Sequence, residues 1–410
     1  MRKGVRKHVS RKKARSHLIS KRISEIPYSF FSKFIGLKGK GIISLGPGEP
    51  DFSTPKHIID AAHSAIEDGY THYAPMRGYP DLLEAISKKA YRQNKIKIDD
   101  PQTQICVTAG STESLLLSMF AAFDESQAVL TPDPGFVTYG PCAKLIGMKP
   151  VPYNLSEKTG FQLDLDDLNK KITAKTKGII INSPSNPTGT VFNRNLLEEL
   201  ADIAVENDLT IISDEAYEYC VFNGNKHISM ASLNGMADYV LSNFTVSKAY
   251  AMAGWRLGYV VANPKVIEKI VSAHIYTSVS ASSISQRAAL AAFTGPQKCV
   301  SDMAREYDRR RRFVVKRIQE IKGFELEVVP EGAFYIFPKI VKDEVRGVYP
   351  HSKIRSDEFS LWLFNKAKII TMPGSEFGKN GEGFLRMSYA TDYSLIGQAM
   401  DRLERLFGSR

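Results

Sequence analysis

Lys248 stands in the run SKAYAMAGWRLG at 247–258, eight residues ahead of Arg256. It follows the apolar stretch 239–245, where a lysine is poorly placed for solvation. Burial there lowers the amine's pKa toward neutrality and makes it a usable nucleophile. The usual reaction of such a lysine is a Schiff base with a carbonyl, most often the aldehyde of pyridoxal phosphate. A solvated loop lysine is the plain alternative. Three further runs weigh against it: TAGST at 108–112, NSPSNPTG at 182–189 and SDEAYE at 213–218.

TAGST reads as a strand end opening a helix. The N–H groups of Gly110, Ser111 and Thr112 and the helix dipole then form an anion site, here for a phosphate. Thr245 and Arg256 bracket Lys248 and can complete a phosphate cage; a structural ion pair is the alternative for Arg256. Asp214 ends the apolar run LTIIS and needs a cation or donor if buried. A pyridinium N–H suits it, since the carboxylate keeps that nitrogen protonated and the ring electron-poor; a helix N-cap is the competing use. Tyr217 and Asn186 can reach the ring's 3-oxygen, although NPTG also reads as an ordinary turn. Phe136, after PDPG, suits either ring stacking or core packing.

Arg386 lies in GFLRMSYA among apolar neighbours. A buried arginine needs an anion, and its flat fork fits an amino acid's α-carboxylate. Holding that carboxylate near the ring plane presents Cα–H to Lys248, which favours deprotonation over decarboxylation. Gly48, in LGPGEPDF, can offer backbone to the same carboxylate.

These residues need a scaffold that brings distant segments together. Strand-like runs occur at 103–108, 128–131, 178–182, 209–213, 239–245 and 257–262, with helical patterns between them at 111–123, 193–206 and 264–277. The alternation indicates a mostly parallel sheet covered by helices, an α/β fold. Ligands in such sheets collect at the carboxyl ends of the strands, where all four runs fall. A long helix over 297–322 carries Arg309–Arg312, read as a solvated face. Beyond it, 324–329 and 332–337 read as a strand pair. Next come a helix at 357–367, strands at 369–372 and 384–388, and a closing helix at 392–407. This C-terminal part reads as a smaller α+β domain. The expected division is a basic tail at 1–24, a small domain at 25–50 and 322–410, and a large domain at 51–321.

The 410 residues carry a formal charge of +11, yet residues 1–22 hold ten Lys or Arg and no acid. The remaining chain is nearly neutral, so the charge belongs to a tail expected to be disordered. Such a tail can grip polyanions through salt-sensitive contacts, but no aromatic residue interleaves the charges and specific nucleic-acid binding is not expected. No apolar run approaches the roughly 20 residues that span a bilayer, and no secretory signal is visible. Scattered Cys106, Cys142, Cys220 and Cys299 read as reduced thiols of a cytoplasmic protein, with no metal site.

LGPGEPDFSTP, YTHYAPMRGYPDL, NSPSNPTGTV, SDEAYE, SKAYAMAGWRLGY and GFLRMSYA occur in one order over about 42–407. Together they resemble the class I aminotransferases, pyridoxal-phosphate enzymes of fold type I, and most of all the prokaryotic aspartate and aromatic aminotransferases. The resemblance implies a large domain with a mostly parallel seven-stranded sheet beside a smaller domain. It implies pyridoxal 5'-phosphate as cofactor and amino acids and 2-oxo acids as substrates. Lys248 becomes the Schiff-base residue, Asp214 the pyridine partner, Arg386 the α-carboxylate clamp, and Asn186 and Tyr217 the 3-oxygen ligands. Gly110, Ser111, Thr112, Thr245 and Arg256 surround the phosphate. A homodimer is also implied, with Tyr73 reaching the neighbouring subunit's phosphate. Thr245 stands where the family often has serine. Thr112 stands where some aspartate-using relatives carry lysine, which extends the expectation to aromatic or broad specificity. A β-eliminating lyase on the same scaffold is the alternative reaction.

Overall fold

The computed structural model describes residues 19–26, 30–33, 39 and 41–410. Residues 1–18 of the expected tail lie outside the described residues, as do 27–29, 34–38 and 40. Residues 19–24 depart from the expected disorder. Ser20 caps a helical turn, Lys21–Ser24, and Arg22 pairs with Glu125 at 2.8 Å.

Seven strands form the central sheet: β1 (Ile105–Thr108), β2 (Ala128–Asp133), β3 (Lys149–Asn154), β4 (Thr176–Asn182), β5 (Thr210–Asp214), β6 (Val240–Thr245) and β7 (Gly258–Val261). Their spatial order is β1-β7-β6-β5-β4-β2-β3. Every pairing is parallel except the two that β7 makes, with β1 and β6. Strands covered on both faces are apolar throughout, and β4 and β5 show why. Ile179, Ile181 and Ile211 enter the largest core cluster, while Ile180 and Ile212 enter another. Alternate side chains of one strand thus serve opposite faces.

Helices Ser111–Ala122, Arg194–Glu206 and Pro264–Thr277 fall where the sequence places them. The first strand is shorter than expected, because Asp100 caps a helical turn over Pro101–Gln104. β3 was not foreseen. Its Pro150 and Pro152 fit only an edge strand, which is where it lies.

A second core cluster gathers Phe324, Phe334, Phe359, Leu385 and Leu403. Here the expected pairing of 324–329 with 332–337 fails. Phe324–Glu325 pairs antiparallel with Lys339–Ile340, and Tyr335–Ile336 pairs with Leu385–Ser388. Ile43–Ser44 joins Ile369–Ile370 in parallel. The N-terminal segment is thereby tied to the C-terminal part.

The run Arg309–Arg312, on the helix Lys298–Glu320, is not a uniformly solvated face. Arg310 and Arg311 are buried. Arg310 pairs with Asp51 and Glu306, each at 2.8 Å, while Arg311 reaches Asp308 and Asn223, each at 2.7 Å. Tertiary acceptors far along the chain compensate the burial. Among the described residues, no helix is long and apolar enough to cross a membrane.

Candidate active site

The carboxyl ends of β4, β5 and β6 place Asn182, Asp214 and Thr245 side by side, since Asn182 pairs with Asp214 and Asp214 with Asn243. Loops leaving these ends carry Asn186, Tyr217 and Lys248. They enclose a cavity of about 330 Å³. Gly48, Ser111, Thr112, Phe136, Asn186, Asp214, Tyr217, Thr245, Lys248, Arg256 and Arg386 all line it. Such a volume suits a small organic ligand.

Lys248 Nζ donates to the Gly48 carbonyl at 2.5 Å. Burial, and then the positive charge of Arg386, lower its pKa to about 8, against the opposing pull of Glu49 and Asp214. A substantial neutral fraction therefore exists near physiological pH. Asp214 is buried, and its carboxylate accepts from the Tyr139 hydroxyl at 2.7 Å and the Ala216 N–H at 3.3 Å. Burial still raises it to about 6, because two donors do not replace full hydration. A cation at this carboxylate would reverse that shift.

Tyr217 exchanges a hydrogen bond with the Tyr335 hydroxyl at 2.8 Å and meets Asn186 Nδ2 at 3.5 Å. Asn186 Oδ1 accepts from Arg386 Nη1 at 3.0 Å, and Arg386 Nη2 donates to the Gly46 carbonyl. The guanidinium lies 4.5 Å from the centroid of the Tyr335 ring and 4.8 Å from that of Phe377. Its Nε is buried with no hydrogen-bond partner. A buried arginine with no carboxylate in its hydrogen bonds, and with a donor to spare, suits an anionic ligand.

Gly110 adopts φ +87°, and a Cβ there would come 2.5 Å from Arg256 Nη2. Its own N–H is taken by the Thr108 carbonyl at 2.8 Å. Gly110 also supplies space and a backbone conformation that let Arg256 come close. Ser111 and Thr112 begin the helix, where amides have no intrahelical acceptor. With Arg256 and Thr245 they make a cradle of amides, hydroxyls and one guanidinium that fits a phosphate. The residues present therefore fit pyridoxal phosphate, with an anion cradle, an acid for the ring nitrogen and an amine between them.

Gly110 lies behind the cavity wall, and Tyr73 does not line the cavity of its own chain; it is 83% exposed. Phe136 lines the cavity and meets Tyr139 edge-on at 5.6 Å. In SDEAYE the glutamates turn away from the cavity into a buried network. Glu218 pairs with Lys89, and Glu215 accepts from Ser229 and His227. Sequence reasoning missed Tyr139, Asn182 and Tyr335. Asn182 was findable, since it ends a strand as Asp214 does. Tyr335 has no local signal, because it depends on pairing with Ser388.

The description "Aminotransferase class I and II" belongs to the family model that matches residues 40–403. The chain belongs to this family. Its members depend on pyridoxal phosphate, and the chain is a pyridoxal-phosphate-dependent aminotransferase that transfers amino groups. It is 45% identical over 369 residues to an aspartate aminotransferase of Pyrococcus abyssi, covering 90% of this chain and 92% of the relative. It is 44% identical over 369 residues, with the same coverage, to aromatic-amino-acid aminotransferase 2 of Thermococcus litoralis. Among solved structures, an aromatic aminotransferase of Pyrococcus horikoshii matches with TM-score 0.84 at 42% identity, covering 92% of this chain and 98% of that one. The fold is therefore type I, and the enzyme's relatives favour amino-group transfer over β-elimination.

Proposed function

We propose that the enzyme moves the amino group of an L-amino acid, aromatic donors ahead of aspartate, to 2-oxoglutarate or another 2-oxo acid. The observation that carries this reading is the convergence of Lys248, Asp214 and Arg386 on one cavity. Pyridoxal phosphate, when bound, supplies the aldehyde that takes the amine and the ring that delocalises the electrons left at Cα. Lys248 would hold the cofactor through its amine and, once freed, would act as the base that takes the proton from the substrate's Cα and the acid that returns it. Asp214 keeps the ring nitrogen protonated, and Tyr139 and the Ala216 N–H orient its carboxylate. Tyr217 and Asn186 hold the 3-oxygen. Phe136 would offer its ring face to the cofactor's ring. Ser111, Thr112, Thr245 and Arg256 hold the phosphate, with Gly110 clearing the approach.

Arg386 binds the α-carboxylate through its fork, with the Gly48 backbone beside it, and its partnerless Nε supports this role. The same carboxylate of the 2-oxo acid takes the same place in the second half-reaction. Phe136, Val137, Met372 and Phe377 supply an apolar wall suited to an aromatic side chain. Exposed Tyr73 and Tyr276, 83% and 91% accessible, support a homodimer in which Tyr73 reaches the partner's phosphate site. A core of Ile43, Leu45 and residues between Phe324 and Phe407 supports a small domain over 25–50 and 322–410 beside a large one over 51–321, although Met303, Tyr307, Val314 and Ile318 of the long helix pack into that same core. Four free cysteines support a reducing, cytoplasmic setting.

Half-reactions with single amino acids, followed by the change in cofactor absorbance, test the reading. Aromatic donors should convert the cofactor with stoichiometric 2-oxo acid release. Release of pyruvate and ammonia in place of the matching oxo acid would contradict it.

A further inference from the structure

Asp133 ends β2 at the same edge of the sheet as the site residues, but it does not line the cavity. Its buried carboxylate accepts the N–H of Asn380 at 2.9 Å and that of Lys379 at 3.2 Å. Asn380 Nδ2 returns a bond to the Asp133 carbonyl at 3.2 Å and another to Asn154 Oδ1 at 3.0 Å. Two residues further on, the Gly135 N–H donates to the Phe377 carbonyl at 2.7 Å. Gly378 has φ +128°, and a Cβ there would overlap the Asp133 carboxylate. Only glycine lets the turn come this close.

These bonds join two segments that are remote in sequence and both line the cavity. Phe136 and Val137 follow Asp133 on one side. Phe377, which stacks on Arg386, precedes the clasped amides on the other. We propose that Asp133 is a specificity-determining positioning residue: with Asn380 it clasps the 374–381 turn to the end of β2 and so sets the width of the substrate mouth. The proposal rests on the reading that this cavity takes the amino acid. Asp133 touches neither substrate nor cofactor. It acts by holding Phe377, and through it Arg386, against the end of β2.

The test compares Asp133→Ala, Asp133→Asn and Asn380→Ala as full-length holoenzymes. KM and kcat are measured with L-phenylalanine, and amide hydrogen exchange is followed across 374–381. Asp133→Ala should raise KM about tenfold, the scale of one lost hydrogen bond to a charged group. It should leave kcat and the cofactor's absorbance unchanged and speed exchange in the turn. Asp133→Asn keeps an oxygen for the Asn380 N–H and should recover most of the affinity. Should Asp133→Ala fail to fold, Asn380→Ala reads the same clasp from an exposed side chain with every backbone donor kept. Unchanged KM and unchanged exchange would overturn the proposal, as would a fall in kcat or cofactor binding with KM fixed. If the wild type does not transaminate phenylalanine, the substrate reading fails, while the exchange arm still decides the clasp.

Discussion

Arg386 Nη1 donates to Asn186 Oδ1 at 3.0 Å across 200 positions of sequence. One end of this pair belongs to the proposed carboxylate clamp and the other to a proposed 3-oxygen ligand. The two side chains are thereby held in one frame. Arg386→Ala should raise KM for amino and oxo acids about a hundredfold or more, since two charge-assisted bonds go together. Arg386→Lys keeps the charge but loses the fork and should fall between. Steady-state kinetics with both substrates check this; equal KM in Arg386→Ala would remove the clamp.

Tyr139 bonds the Asp214 carboxylate, and burial of that carboxylate is only partly offset. Asp214→Asn cannot keep a ring nitrogen protonated and should lower kcat by about 10²–10³, the scale of one preorganised electrostatic contact. Tyr139→Phe should cost about tenfold, because it removes one neutral donor. Single-turnover rates separate the two losses from changes in cofactor loading.

The cofactor-free protein should show a distinct dependence on pH. Lys248 titrates near 8 when folded and near 10.5 when exposed. Between those values this amine binds more protons in the unfolded chain, so its own contribution to stability rises from about pH 8 to 10.5, while the buried thiols Cys106, Cys142 and Cys220, whose pKa values burial pushes up, lower stability over the same range. Below 8 both states are protonated and the full penalty stands. Lys248→Met should abolish the rise and gain about 2–3 kcal/mol at pH 7.5. The difference in unfolding free energy between the two proteins, followed by denaturant from about pH 7 to 10.5, checks the sign, because the thiols and tyrosines are common to both and Asp214 titrates below this range.

Arg310 pairs with Asp51 and Glu306, linking the long helix to the segment after Gly48. Fully buried pairs lose about 3–5 kcal/mol when one partner goes. Asp51 and Glu306 retain a quarter of their exposure, so Arg310→Ala should cost nearer 2 kcal/mol. Thermal unfolding measures this, and kcat should change little once the protein is saturated with cofactor.

Much of the site was legible because most of its motifs end a strand of the central sheet or start a helix; Arg386, inside the strand Leu385–Ser388, is the exception. Local sequence encodes both, and one parallel sheet brings all such ends to one edge. Lys248 and Asp214 stood out as charged residues closing apolar runs. Strand β3 was illegible because Pro150 and Pro152 read as turn residues, and only an edge position tolerates them. The burial of Arg310 and Arg311 was hidden for another reason. Their acceptors Asp51 and Asn223 lie 259 and 88 residues away. The partners of Phe324 and Tyr335 were likewise decided by register between distant strands. No periodicity within either segment encodes that choice.

The central claim is that Lys248 carries the cofactor. Borohydride reduction of the reconstituted wild type, followed by proteolysis and mass mapping, tests it most directly. A reduced pyridoxyl-phosphate adduct on the peptide containing Lys248, absent from Lys248→Ala, is the expected result. An adduct on another lysine, or none on a protein that turns over, would contradict the account.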